Sequence, residues 1–415
     1  MKTLRFVALC ALAALSRHGL SQELSAYTPL EQERWMQDEQ PLKLKIFGGV
    51  NYDSNLFRLS AEANPQTTIG TSDKSDIIYQ LGAGGKYELR QSRQKFIAEA
   101  TVTQNQFQNF DSLNNTSSDL RGAWQWHVGN DWNGDLGAGN RRFLQSFVNL
   151  QQNVRDMINQ DRLYGSANYL LHSHLKLTLD ADWYDTQHGA QSQQSLDSKT
   201  RDTAFTVNWI TPAQNTVGLK YRTQSAHYPN NEAVSGASVD NDYTEDEYSV
   251  VAHWKASGAS DVIARIGHTQ RQFDQSPNRN FSDLTWQLTY IWQPTGKTAL
   301  ELATWRDLSA FQDLTANYAR VTGISLVPTW SLSSQFALRG RVSWQTYNFV
   351  GNPGIVAPTT DQRVDKVRLY QISGLWTPLR LTELALTLES GKRTSNTAFV
   401  DYKYNSIGVL ATRYF

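Results

Sequence analysis

The chain has little of what usually holds a secreted soluble protein together. Its one cysteine, Cys10, lies inside the apolar N-terminal stretch, so the mature chain is expected to form no disulfide. Leu9 precedes that cysteine where a lipoprotein cleavage site wants a small residue, which argues against a lipid anchor. After the N-terminal stretch no apolar run reaches the roughly 20 residues of a membrane-spanning helix, and mean hydropathy is −0.52. Together these exclude an α-helical membrane protein. The 39 basic and 39 acidic residues cancel, so no charge excess points to nucleic acid. The eight histidines are scattered and none falls in a nucleophile motif. No catalytic constellation, cofactor site or enzyme activity is therefore expected.

What the chain does have is aromatic residues: 13 Trp, 18 Tyr and 16 Phe in a hydrophilic sequence. A polar soluble protein rarely has a use for so many.

At the N-terminus, Lys2 and Arg5 precede an apolar run from Phe6 to Leu15 that is too short to span a bilayer, the pattern of a secretory signal. Small residues at Gly19 and Ser21 predict cleavage after residue 21 and a mature chain starting at Gln22. Residues 22–41 are polar and acidic around Trp35, and read either as a short periplasmic arm or as a segment folded into a lumen. Residues 42–415 are expected to form one domain.

Within that domain polarity alternates residue by residue, as in strands with one wet and one greasy face. Leu175, Leu177, Leu179, Ala181 and Trp183 share one face, with Lys176, Thr178, Asp180 and Asp182 on the other. The same rhythm runs through Leu284, Trp286, Leu288, Tyr290 and Trp292, and through Leu384, Leu386 and Leu388. About eighteen such segments, sixteen at the least, predict an all-β fold: a transmembrane antiparallel up-and-down barrel in a bacterial outer membrane. Short turns near 90–92, 129–131, 172–174, 212–215, 257–260, 294–297, 331–334 and 377–380 alternate with longer polar loops such as 189–198, 229–241 and 351–361. Short turns belong on the periplasmic side.

The aromatics give the same phase independently. Tyr87, Trp126, Tyr169, Trp209, Trp254, Trp292, Trp330, Trp376 and Phe415 recur about every forty residues, at the ends of the descending segments. Rings with a polar edge settle at the membrane boundary, so these predict the periplasmic girdle. Trp183, Trp305 and Trp344 are candidates for the outer one. The terminal Phe415 resembles the signal read by barrel-insertion machinery, although Arg413 stands on its face where an apolar residue is usual. That machinery, outer-membrane lipids and lipopolysaccharide are the expected partners.

If greasy rows face lipid, the opposite rows line a lumen. Candidates there are Arg121, Arg141, Lys220, Arg222, Arg265, Arg271, Arg339, Arg341, Asp180, Asp182 and Glu301. Mixed charge facing inward reads first as internal salt bridges and hydrated walls, and second as a selectivity track. Arg339 and Arg341 beside Arg265 and Arg271 would make a basic ladder if neighbouring strands align them. Tyr164, Tyr184 and Tyr347 fall on the inward phase, where sugar rings could stack. The acidic run from Asp240 to Glu247 offers oxygens for calcium but lacks the regular ligand spacing, so a solvated loop is the simpler reading. His172 and His174 alone do not make a zinc site.

Asp53-Ser54-Asn55-Leu56-Phe57-Arg58, at the end of the first segment, resembles the Asp-x-Asn-[Ile/Leu]-[Phe/Tyr]-Arg motif of the EpsL-type family. These are outer-membrane barrels of exopolysaccharide operons associated with exosortase and PEP-CTERM genes. The resemblance implies a part in synthesis or export of an extracellular polysaccharide, with export components as partners and no catalytic residues. Physically, Asp53, Asn55 and Arg58 sit where the first strand meets its loop, so a clasp for that loop is an equal reading. The expectations are then a polysaccharide-export barrel, a general or solute-specific diffusion porin, or an adhesive barrel with a plugged lumen.

Overall fold

The computed structural model describes residues 41–230, 232–234, 237–309, 316–351 and 362–415. The expected signal peptide, residues 22–40 and most of the 351–361 loop lie outside them. Among the described residues no helix is long and apolar enough to cross a membrane. The chain crosses with strands instead.

In chain order the first nine strands are β1 (Leu42–Asp53), β2 (Asp76–Gln91), β3 (Gln94–Phe107), β4 (Asn115–Val128), β5 (Trp132–Leu144), β6 (Met157–His172), β7 (Leu175–His188), β8 (Ser198–Ile210) and β9 (Thr216–His227). Two short strands, β10 (Glu232–Val234) and β11 (Ala237–Val239), pair only with each other in an outer loop. The rest are β12 (Tyr243–Ser257), β13 (Ser260–Phe273), β14 (Phe281–Thr295), β15 (Thr298–Ser309), β16 (Tyr318–Ser331), β17 (Phe336–Val350), β18 (Val364–Leu379), β19 (Thr382–Ser395) and β20 (Tyr402–Tyr414). Two short helices, α1 (Pro65–Ile69) and α2 (Phe147–Leu150), lie in the loops after β1 and β5.

Apart from β10 and β11, each strand pairs antiparallel with its chain neighbours, and β1 pairs with both β2 and β20. The sheet of 18 strands therefore closes on itself. Closure leaves no unpaired edge, which matters in lipid because no water there can satisfy a bare N–H or C=O. All eight expected short turns are present, and the expected strand number is the observed one.

The greasy rows point outward. Leu81, Leu163, Leu179, Leu219, Ile266, Leu288, Ile372, Leu388 and Val409 are exposed although large and apolar, which is stable only against acyl chains. Trp126, Trp209, Trp254, Trp292, Trp330 and Trp376 share that phase, each within three residues of its strand's periplasmic end. Between them Trp132 and Tyr169 stack at 4.4 Å. Strands of 12 to 16 residues exceed the roughly 10 that a tilted span needs, so their upper ends rise past the lipid. There the outward rows turn polar: Asn140 donates to Asp161 at 2.7 Å.

Trp305 departs from the girdle expected of it. It is register partner of Gly323, and its ring lies where a Cβ on Gly323 would sit 2.3 Å from Cζ2. Leu300 and Leu302 on the other phase face lipid, so Trp305 faces the lumen. Trp183 and Trp344 face outward, and the Trp344 ring meets Tyr370 at 6.3 Å edge-on.

Candidate functional site

The inward rows give the lumen its chemistry, and the β-ladder registers decide which charges meet. On β6 to β15 they meet in pairs. Arg162 bridges to Asp182 at 2.6 Å and lies over the Tyr164 and Tyr184 rings. Arg222 bridges Asp202 at 2.5 Å and Glu245 at 2.9 Å, and Glu245 also takes Arg271 at 2.6 Å. Arg271 covers the Tyr243 ring at 3.8 Å. Arg265 joins Glu247 at 2.5 Å to Asp307 at 3.2 Å, reaching across β14. Register explains this ladder: Glu245 stands opposite Arg271, and Glu247 opposite Arg222. In the acidic run considered for calcium, Glu245 and Glu247 are thus spent on arginines, Asp242 on His227 and Asp246 on the Tyr221 hydroxyl. Among the described residues no group of three or more His, Cys, Asp or Glu could hold a metal.

The expected basic ladder does not form. Arg265 and Arg271 belong to β13 and Arg339 and Arg341 to β17, with three strands between them. A side chain cannot span four strand spacings of about 4.8 Å each.

Other inward charges are more open to water. Asp119 and Arg141, paired at 3.1 Å, keep 53% and 45% of their side-chain surface exposed though they point into the barrel. Arg121, one register row below on β4, is exposed too. Asp180 has Lys220, Asp135, Asp182 and Lys176 as its charged neighbours. Arg341 lies between Glu301 and Glu389 in one register row, two strands from each. Arg339 is two residues below on the same face. From β7, which carries Asp180 and Asp182, to β17 is eight strands one way and ten the other, so these groups stand on opposite walls.

The outer mouth is narrowed by the loops after β1, β3 and β5, which meet in one apolar cluster. Asp53 accepts from Asn55 N at 2.9 Å and from Arg58 Nη1 at 2.9 Å. Asn55 donates to the Leu59 and Lys403 carbonyls, and the Arg58 guanidinium stacks on Tyr404 of β20 at 3.5 Å. These bonds turn the chain so that Phe57 is fully buried, edge-on to Phe110 at 4.7 Å and to Phe147 of α2 at 4.6 Å. Leu56, Leu59, Ile69, Leu113 and Leu150 complete the cluster. Gln151 Nε2 donates to the Arg58 carbonyl at 2.7 Å, and Arg393, paired with Asp365 on the far rim, donates to the Val148 carbonyl at 3.4 Å. The loop after β5 thus reaches over the mouth to β19. This apolar plug was not read from the sequence. Its signal was there, as Leu56-Phe57 and Phe147/Leu150 inside segments otherwise polar.

No protein-family model matches the chain, and no curated protein matches it. Solved structures do. OccK2 (OpdF) of Pseudomonas aeruginosa superposes with a TM-score of 0.51 at 10% identity, over 90% of this chain and 98% of that one. A BenF-like porin from Pseudomonas fluorescens Pf-5 gives 0.51 at 9% identity, over 91% and 99%. OccAB3 of Acinetobacter baumannii gives 0.50 at 7%, over 90% and 99%. At such identities the likeness is one of fold. This chain is an outer-membrane barrel of eighteen strands. The resemblance to the EpsL-type family finds no support in these comparisons, and neither does polysaccharide export. The motif that carried it, Asp53, Asn55, Phe57 and Arg58, is built as a loop clasp.

Proposed function

We propose that the barrel is a diffusion porin that passes small hydrophilic solutes and carries out no covalent chemistry. The observation that carries this reading is the exposure of inward charges: Asp119, Arg121 and Arg141 face the lumen and still meet solvent. A barrel of this strand number encloses an aqueous channel unless something fills it. Selectivity would come from the mouth narrowed by these loops and from a field across the lumen, from Arg339 and Arg341 toward Asp180. Such a field orients dipolar solutes and favours neither sign strongly.

The test is reconstitution of the folded chain in planar bilayers and in liposomes. Discrete conductance steps, and swelling of liposomes in small sugars and amino acids but not in large dextrans, are the expected result. A folded barrel giving neither would overturn the reading in favour of an adhesive barrel with a plugged lumen, the alternative that the inward-folded loops keep in play.

A further inference from the structure

We propose that the outward face of β18, β19 and β20 is a binding site for the phosphorylated head group of an outer-leaflet glycolipid, lipopolysaccharide being the lipid of that leaflet. Arg368, Lys392 and Lys403 are consecutive partners in the ladder: Arg368 opposite Lys392, and Lys392 opposite Lys403. All three lie on the lipid-facing phase, as does Lys366 two residues above Arg368, and all four are exposed. Neighbouring strands are about 4.8 Å apart, so three cations stand side by side on one face. Like charges directly opposite in a ladder repel, and a row of them implies an anion that neutralises it. Among the described residues none of the four side chains has a hydrogen bond or ion pair. Elsewhere at this height the outward charges come in both signs, as where Asp185 takes Lys199 at 3.9 Å.

Height identifies the partner. Lys392 stands ten residues above the start of β19 at Thr382, and Arg368 and Lys403 eleven from the periplasmic ends of β18 and β20. At a tilt of about 40° each residue adds about 2.6 Å, which puts the row about 26–29 Å above the periplasmic rim. The apolar band of such barrels is about 25 Å tall, so the cations lie at the outer head groups. Tyr370 and Ile372 lie directly below Arg368, and Leu388 and Ile407 lie below the hydrogen-bonded pair Ser390 and Asn405; these four side chains are exposed, a surface for the acyl chains of the same molecule. Phosphate suits the site because its oxygens accept from two or three cations at once. A soluble anion would not need the greasy surface beneath.

The experiment is native mass spectrometry of the purified full chain in detergent, titrated with lipid A bearing its phosphates and, separately, with enzymatically dephosphorylated lipid A. The wild-type barrel is expected to bind the phosphorylated lipid at least tenfold more tightly than the dephosphorylated one. The variant Arg368→Gln/Lys392→Gln/Lys403→Gln is expected to lose that preference, whereas Arg142→Gln/Lys199→Gln/Arg201→Gln on the other side should keep it. Equal binding of the two lipids by wild type, or an unchanged preference in the first variant, would overturn the proposal. So would displacement of the lipid by millimolar inorganic phosphate, which would make the site one for free anions. If the triple variant does not fold, Lys392→Glu serves: it places an acid between two cations, and should raise the melting temperature in lipid-free detergent while abolishing the lipid preference. A lower melting temperature there counts against a repelling row.

Discussion

Arg58 adopts φ +56°, a left-handed conformation that costs an ordinary side chain about 1–2 kcal/mol. It is held there by its ion pair with Asp53 and by its stack on Tyr404. Both partners are largely buried, and removing one half of a buried pair costs roughly 3–5 kcal/mol. The ion pair therefore outweighs the strain. Arg58→Ala is expected to release the loop between β1 and β2 while leaving the barrel folded. Trypsin should then cut after Lys74, whose ammonium is tied to the Ser60 carbonyl at 3.1 Å, at least tenfold faster by about 1.4 kcal/mol or more of lost protection. Unchanged cleavage would mean that the clasp does not hold the loop. Gly323 makes the opposite case, where the absence of a side chain matters. A Cβ there would meet the Trp305 ring at 2.3–2.9 Å, so Gly323→Ala must push the indole off the wall and into the lumen. The expected cost is about 1–3 kcal/mol of overpacking. Single-channel conductance should fall, and a Gly323→Ala/Trp305→Ala pair should restore it.

Elements that obey one period throughout were legible in the sequence. A strand between lipid and water shows its phase in every second residue, so Leu175 to Trp183 could be read without a fold in hand. The Trp positions fixed the periplasmic rim in the same way. Trp305 was misassigned although its strand carries the phase: Leu300 and Leu302 stand on one face, and Glu301, Trp305 and Asp307 on the other. The partner that seats its ring, Gly323, is a residue of the next strand and is visible only through register. The ladder was half legible for the same reason: inward charge is a property of one strand, whereas pairing needs two or three. Glu245 shows what depends on it. Buried to 2% exposure between Arg222 and Arg271, it bridges both, and Asp202 pairs with Arg222 alone of the two while accepting from Gln224. Glu245→Gln leaves Arg271 without its carboxylate, at an expected cost of roughly 3 kcal/mol. Urea unfolding in lipid vesicles should show it as a lower midpoint with an unchanged slope. Asp202→Asn should cost less, because Arg222 retains Glu245.

On the scale of the whole barrel, the balance of charge decides what the lumen can discriminate. The chain carries equal numbers of acids and bases, and many of those facing inward cancel in pairs. A pore so lined should show little preference between small cations and anions, with whatever preference it has coming from groups outside the ladder. Arg339 and Arg341 on one wall and Asp180 on the other are the groups placed to supply it. Replacing one wall should therefore unbalance the pore in a direction set by sign. Arg339→Gln/Arg341→Gln removes two positive charges from one wall, and the reversal potential across a salt gradient should move toward cation selectivity, by a factor of about two or more in permeability ratio. Asp180→Asn should move it the other way. The shift must shrink as salt rises from 0.1 to 1 M, because the screening length falls from about 10 to about 3 Å while the groups sit in an aqueous lumen. A shift of the same sign from both substitutions, or none from either, would mean that solutes do not pass between these two walls.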